Sequence, residues 1–173
     1  MSFEGWGGTA VRVLALVVVA GAILWLTLVA PQKPRAERAW VPEHRRLARA
    51  EFLGDSQVAI HDLRDFTYTS ETDFTERYLE RTYDLDKLES AWFILTPFST
   101  KWRGPAHAFV SFGFSDGTYV AISVEARREV GETYGFVSGL LRNFELAYIV
   151  GTERDLIGRR ALYDGDDVLL YPV

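Results

Sequence analysis

The stretch AHAFVSFGFSDGTYVAISVEAR, residues 106–127, decides the fold. Two apolar runs, Ala106 to Phe114 and Thr118 to Arg127, flank Asp116-Gly117, and Asp-Gly between such runs signals a β-hairpin. Upstream, AWFILTPF at 91–98 is a continuous apolar run that Pro97 ends, the pattern of a strand buried on both faces. Gln57 to Tyr68, Phe144 to Val150 and Val168 to Tyr171 read as further strands. Thr72 to Leu85 is polar with aromatics at partly helical spacing, so a helical turn or an irregular crossing is expected there. Phe136 to Phe144 reads as a short helix, and a second helix opens at Thr152, with Thr152 as N-cap and Glu153 and Asp155 in its first turn. The expected class is α+β: a mainly antiparallel sheet with a few helices packed on it.

A different pattern precedes this domain. Val13 to Ala30 is an uncharged run whose only polar side chain is Thr27. At 1.5 Å per residue it covers roughly 27 Å, close to the hydrocarbon core of a bilayer. It is apolar on every face and is followed by Pro31, Lys33, Pro34 and Arg35, which favours a transmembrane helix over a buried core helix. Pro31 after Ala30 disfavours signal cleavage, so an uncleaved anchor is expected, with Trp6 and Trp25 near the two interfaces. The expected organisation is a tail at 1–12, the membrane helix at 13–30, a Pro- and Arg-rich connector at 31–50, and one domain at 51–173. The bases Lys33, Arg35, Arg38, Arg45, Arg46 and Arg49 follow the helix, which taken alone places the domain in the cytoplasm.

Composition excludes several chemistries. The 173 residues hold no cysteine, so no disulfide, Cys zinc site or Cys nucleophile exists among them. With three histidines, a multi-histidine metal site is not expected, and no cofactor is expected either. A net charge of −5 gives no overall basic field for nucleic acid.

His107 is the one histidine inside a strongly predicted strand, sharing a face with Phe109, Ser111 and Gly113. With a two-residue turn it lies opposite Ala126; a bulge or a longer turn brings it opposite Glu125. A histidine beside a carboxylate has the geometry of an oriented general base, and a hydrogen-bonded structural histidine is the competing reading. Ser111 and Ser123 sit mid-strand without an activating elbow and read as structural. The charges of Asp-Leu-Arg-Asp-Phe at 62–66 and Glu-Arg-Asp-Leu at 153–156 read as structural ion pairs.

Residues 106–135, AHAFVSFGFSDGTYVAISVEARREVGETYG, resemble the core signature of the Lnb N-terminal periplasmic domain family. Trp40-Val41-Pro42-Glu43, HDLRDFTY at 61–68, TERYLERTYDL at 75–85, GLLRNFELAYIVGTERDL at 139–156 and the terminal DDVLLYP also fit. The resemblance implies a membrane-anchored envelope protein of Gram-negative bacteria, with its domain in the periplasm rather than the cytoplasm. It implies part of a permuted papain-like fold of the NlpC and lecithin–retinol acyltransferase type. In such proteins a strand histidine activates a cysteine that takes the acyl group; His107 matches the histidine, and Glu125 is the residue that would orient it. The family pattern leads one to expect an Asn-Cys motif downstream of the Leu-Tyr-Pro strand, so the chain is expected to lack its C-terminal part and, as it stands, to be inactive.

Three functions compete. The first is acyl transfer between membrane lipid and a lipoprotein amine. The second is papain-like hydrolysis of cell-wall amides. The third is a non-catalytic anchored domain that binds an envelope partner or lipid.

Overall fold

The computed structural model describes residues 4–30, 33, 37–99, 104–135, 138–139 and 144–173. The helix expected at 136–144 lies largely outside the described residues, as do Pro31, Pro34 and Arg35 and the side chain of Trp6. The chain divides into two compact units, one of Met1–Arg38 with Gly131–Glu145, the other of Ala39–Val130 with Leu146–Val173.

In the first unit, helix α1 runs over Glu4–Leu24 and widens into a π turn at Trp25–Val29. Its span Gly8–Val29 is long and apolar enough to cross a membrane, and of its residues only Val29 is buried within the structure. Thr27 donates its hydroxyl to the carbonyl of Ile23 at 2.8 Å, so the one polar side chain of the run is satisfied by its own helix. Beyond the helix, the Tyr134 and Phe144 rings pack with centroids 5.6 Å apart, and Arg38 Nε lies 3.7 Å from Glu145 Oε1.

The second unit is built on the hairpin of residues 106–127. Strands β1 (Arg49–Leu53), β2 (Gln57–Arg64), β5 (Tyr78–Asp84), β6 (Leu88–Pro97), β7 (Ala106–Phe114), β8 (Tyr119–Arg127), β9 (Glu145–Gly151) and β10 (Leu169–Pro172) form one sheet. Its order is β1-β2-β9-β8-β7-β6-β10, with β5 also paired to β2. The pairs β1–β2, β2–β5, β8–β7, β7–β6 and β6–β10 are antiparallel, and β2 meets β9 in parallel at Arg64 and Gly151. Short strands β3 (Thr67–Tyr68) and β4 (Phe74–Thr75) make a separate ribbon. Helix α2 (Pro42–Arg45) precedes the sheet, and helix α3 (Glu153–Arg159), extended by a π turn at Arg160–Asp164, packs on it. The α+β class with a mainly antiparallel sheet is therefore what the chain forms.

Two apolar clusters hold the sheet unit together. Val58, Ile60, Leu63, Tyr83, Phe114 and Val120 gather where β2 and β5 meet the hairpin tip. Ile94, Phe109, Ala121, Ala147, Ile149 and Leu156 gather beneath α3.

Three local expectations need correction, and one alternative is decided. Within residues 72–85 the chain forms strands at 74–75 and 78–84 rather than a helical turn: β5 pairs with β2 from Gln57↔Asp84 to Arg64↔Tyr78, across a bulge between Ile60 and Leu63. Asp62 adopts φ of +57° in that bulge. The connector expected through residue 50 ends earlier, since Trp40 bridges to Glu129 of the chain after β8 and Trp40, Val41 and His44 are buried. The hairpin loop, open in the sequence between two residues and more, has three. Phe114 N–H donates to Thr118 O and Gly117 N–H to Phe114 O, both at 2.9 Å, with Gly117 at φ +77°. Finally, β6 is not buried on both faces, because Phe93 remains 38% exposed.

Candidate functional site

The three-residue loop sets the register of the site. Phe109 pairs with Ser123, so two positions further along His107 lies opposite Glu125. Strict alternation puts His107, Phe109 and Ser111 of β7 and Ala121, Ser123 and Glu125 of β8 on the face that α3 covers.

Helix α3 reads that face with one stripe. Glu153, Leu156 and Arg160 follow at i, i+3 and i+7. Ser111 donates to Glu153 Oε1 at 2.6 Å, Leu156 enters the apolar cluster, and Arg160 donates from NH2 to Glu125 Oε1 at 2.7 Å. Seven helical residues advance about 10 Å and the four strand residues from Ser111 to His107 about 13 Å, so helix and strand deliver their polar groups to the same two places.

Three donors converge on one oxygen of Glu125. Ser123 Oγ donates to Oε1 at 2.7 Å, Arg160 reaches it at 2.7 Å, and His107 Nε2 lies 3.2 Å away. His107 Nε2 also lies 2.7 Å from Ser123 Oγ. Burial works against the Glu125 carboxylate, but His107, Arg160 and Ser123 outweigh it and bring its pKa down to about 2. Glu125 is therefore an acceptor throughout the physiological range. Its charge favours a proton on Nε2 of the imidazole, which leaves the lone pair on Nδ1. Nδ1 makes no hydrogen bond among the described residues. The Phe109 ring lies against the imidazole, with centroids 5.6 Å apart.

The sequence-derived pair His107 and Glu125 is thus brought together. Ser111 and Ser123 are both buried, at 0% and 1% exposure, and both are engaged in the hydrogen bonds above. A nucleophile so enclosed has no room for a substrate carbonyl, so their parts are structural.

Arg160 is a site residue that the sequence reading missed; its i+7 spacing from Glu153 was the available signal. Asp166 is a second. Burial and the nearby Asp164 push its carboxyl up, while Arg160 and His107 pull the other way. His44 is a third. Its Nδ1 accepts the Arg128 N–H at 2.9 Å, which fixes the proton on Nε2. Burial lowers its pKa to about 4, with Glu125 opposing and Arg64 and Arg128 assisting. Among the described residues, no three His, Asp or Glu side chains are placed to hold a metal ion.

The floor beside this cluster is a buried ionic lattice. Arg64 donates Nε and NH2 to the two oxygens of Asp155 at 2.9 and 2.8 Å, and NH1 to the Glu43 carbonyl at 2.8 Å. Asp65 accepts from Thr152 Oγ1, Arg154 NH2 and Arg77 Nε, each at 2.7 Å. The segments 62–66 and 153–156 therefore pair with one another, fixing the start of α3 to the end of β2.

A model of the Lnb N-terminal periplasmic domain matches residues 74–173, which include His107, Ser123, Glu125 and Arg160. The chain belongs to this family. No curated protein and no solved structure matches it. In this Lnb N-terminal periplasmic domain chain, α1, α2 and His44 lie ahead of the matched residues. The family and the apolar N-terminal helix together fit a membrane-anchored periplasmic domain.

Proposed function

We propose that the His107 cluster is the acid–base half of an acyl-transfer site of papain-like type, held at the inner membrane with the domain in the periplasm. The nucleophile is a thiol supplied from outside these 173 residues, which contain no cysteine. The observation that carries this reading is the division of labour on the imidazole. Nε2 is held by Glu125 and Ser123, and Nδ1 has no partner among the described residues.

The chemistry follows from that division. Nδ1 takes the thiol proton, and the thiolate attacks the acyl carbonyl of a lipid ester. A carbon–sulfur bond forms and the carbon–oxygen bond breaks, with His107 returning its proton to the departing alcohol. An amine then attacks the thioester; its excess proton passes to Nδ1 and on to the thiolate, and the amide leaves. Glu125 holds the imidazole and offsets the charge of the transient imidazolium, and Arg160 with Ser123 holds Glu125.

The test begins with the coding DNA beyond Val173. An Asn-Cys motif in frame is expected. In the protein encoded by that frame, His107→Ala should abolish transfer of a radiolabelled acyl group from phospholipid to a lipoprotein amine, and Glu125→Gln should reduce it by roughly 10²-fold or more. A stop codon directly after Val173, or full transfer by His107→Ala, overturns the reading. The second reading, an anchored envelope-binding domain, rests on the burial of both site serines, which leaves these residues without a nucleophile of their own.

A further inference from the structure

Strands β6 to β10 are apolar on both faces, and α3 covers one of them. Ile94, Phe109, Ala121, Ala147 and Ile149 are buried under it. Their chain neighbours point the other way. Tyr171 pairs with Phe93, Phe93 with Val110 and Val110 with Ile122, so an apolar row crosses four strands on the other face, which β2 and β5 cover only toward the hairpin tip, at Phe114 and Val120. Its exposed members are Phe93, Val124, Leu146, Tyr148, Leu169 and Tyr171, with Leu146 at 78% and Tyr148 at 67% exposure. None is charged. Soluble monomers rarely leave a contiguous apolar face of several strands to water.

We propose that this face rests on the surface of a phospholipid bilayer. Three observations select the bilayer as the occupant. The membrane-spanning helix and its cap end at Ala30 and the sheet unit begins at Ala39. The residues between reach at most roughly 30 Å fully extended, so the bilayer is an apolar phase permanently within range of the domain. That tether carries Lys33 and Arg35, which favour anionic headgroups. Two of the exposed residues, Tyr148 and Tyr171, pair an apolar ring with a hydroxyl, the chemistry of residues at the lipid–water boundary.

The inference is independent of the catalytic reading, because His107 points from the opposite face of the sheet.

These 173 residues hold no cysteine, so in this chain a single introduced thiol labels without background. Tyr148→Cys in the full chain, reconstituted into phosphatidylethanolamine–phosphatidylglycerol vesicles, carries an environment-sensitive fluorophore. Asp116→Cys, at the exposed hairpin loop, is the control. The label at 148 should emit at shorter wavelength than the label at 116 and lose intensity with bromolipid, whereas the label at 116 should respond only to aqueous iodide. Adding Leu146→Glu, at an exposed position where the fold tolerates charge, should weaken the bromolipid quenching at 148. Equal iodide access at 148 and 116 overturns the proposal. So does shielding from iodide without bromolipid quenching, which means a protein covers the face. Lipid quenching unchanged by Leu146→Glu also overturns it.

Discussion

Arg64 and Asp155 stand ninety-one positions apart in the chain and form a buried, two-pronged ion pair. Burial opposes the charged guanidinium, but Asp155 holds the Arg64 pKa above its ordinary value. Asp155 also accepts the Phe66 N–H at 2.9 Å. Removing one partner strands the other charge where water does not reach. Asp155→Leu should destabilise the sheet unit by about 3–5 kcal/mol. Arg64→Met combined with Asp155→Leu should cost less than the sum of the two single changes. Urea denaturation of the four chains in detergent measures both quantities, and strict additivity contradicts the pairing.

That pair shows where sequence reading stopped. The charges of 62–66 and 153–156 announce ion pairs, but nothing local names the partners, because β2 and the β9–α3 segment come together only in the folded sheet, where Arg64 pairs in parallel with Gly151. The hairpin was legible because its alternation and its Asp-Gly turn lie within twenty-two residues. Its register was not, since Asp-Gly serves two- and three-residue loops alike, and one residue decides whether His107 faces Glu125 or Ala126. Tyr78 to Asp84 is hard to read as strand because most of its residues are half-buried whatever face they occupy, which blurs the apolar alternation. His44 escaped notice because its burial depends on a backbone hydrogen bond to Arg128, eighty-four positions away.

Gly151 ends β9 where the backbone of β2 comes closest. A Cβ built there meets the Arg64 carbonyl oxygen at 2.9 Å and the Leu156 side chain at 3.2 Å. The first contact is backbone that is itself held by the Arg64 lattice, so it has little room to shift. Gly151→Ala should therefore destabilise by about 1–3 kcal/mol through overpacking. The same change at Gly54, where φ is +79° and no atom lies within 4 Å, tests strain of the turn without crowding. A smaller loss at Gly151 than at Gly54 contradicts the close approach.

His44 makes stability depend on pH in a defined window. Its pKa is about 4 in the folded chain, chiefly through burial, against an ordinary 6.5. Below 6.5 the unfolded chain takes up a proton that the folded chain refuses, so stability falls as pH drops from 6.5 to 4. The loss is on the order of 3 kcal/mol across that window. His44→Asn keeps an acceptor for the Arg128 N–H and has nothing to titrate. Its denaturation midpoint should decline less steeply than the wild type between those two pH values, and parallel curves contradict the assignment.

Glu125 acts in the next window down. Burial would raise its carboxyl, and His107, Arg160 and Ser123 bring it from 4.5 to about 2 instead. A lowered acid contributes its full stability above 4.5 and loses it as pH falls toward 2. The contribution is on the order of 3 kcal/mol. Glu125→Gln removes the carboxylate but keeps an oxygen that accepts from Ser123 and Arg160. The variant should be less stable than the wild type at neutral pH, and the difference should shrink steadily below pH 4.5. Because Glu125 also acts on His44, the difference between Glu125→Gln and its parent is taken in the His44→Asn background, which isolates the lower window. A difference that stays constant from neutral pH down to 2 would mean that the three donors do not stabilise the carboxylate, and the oriented His107 would lose its support.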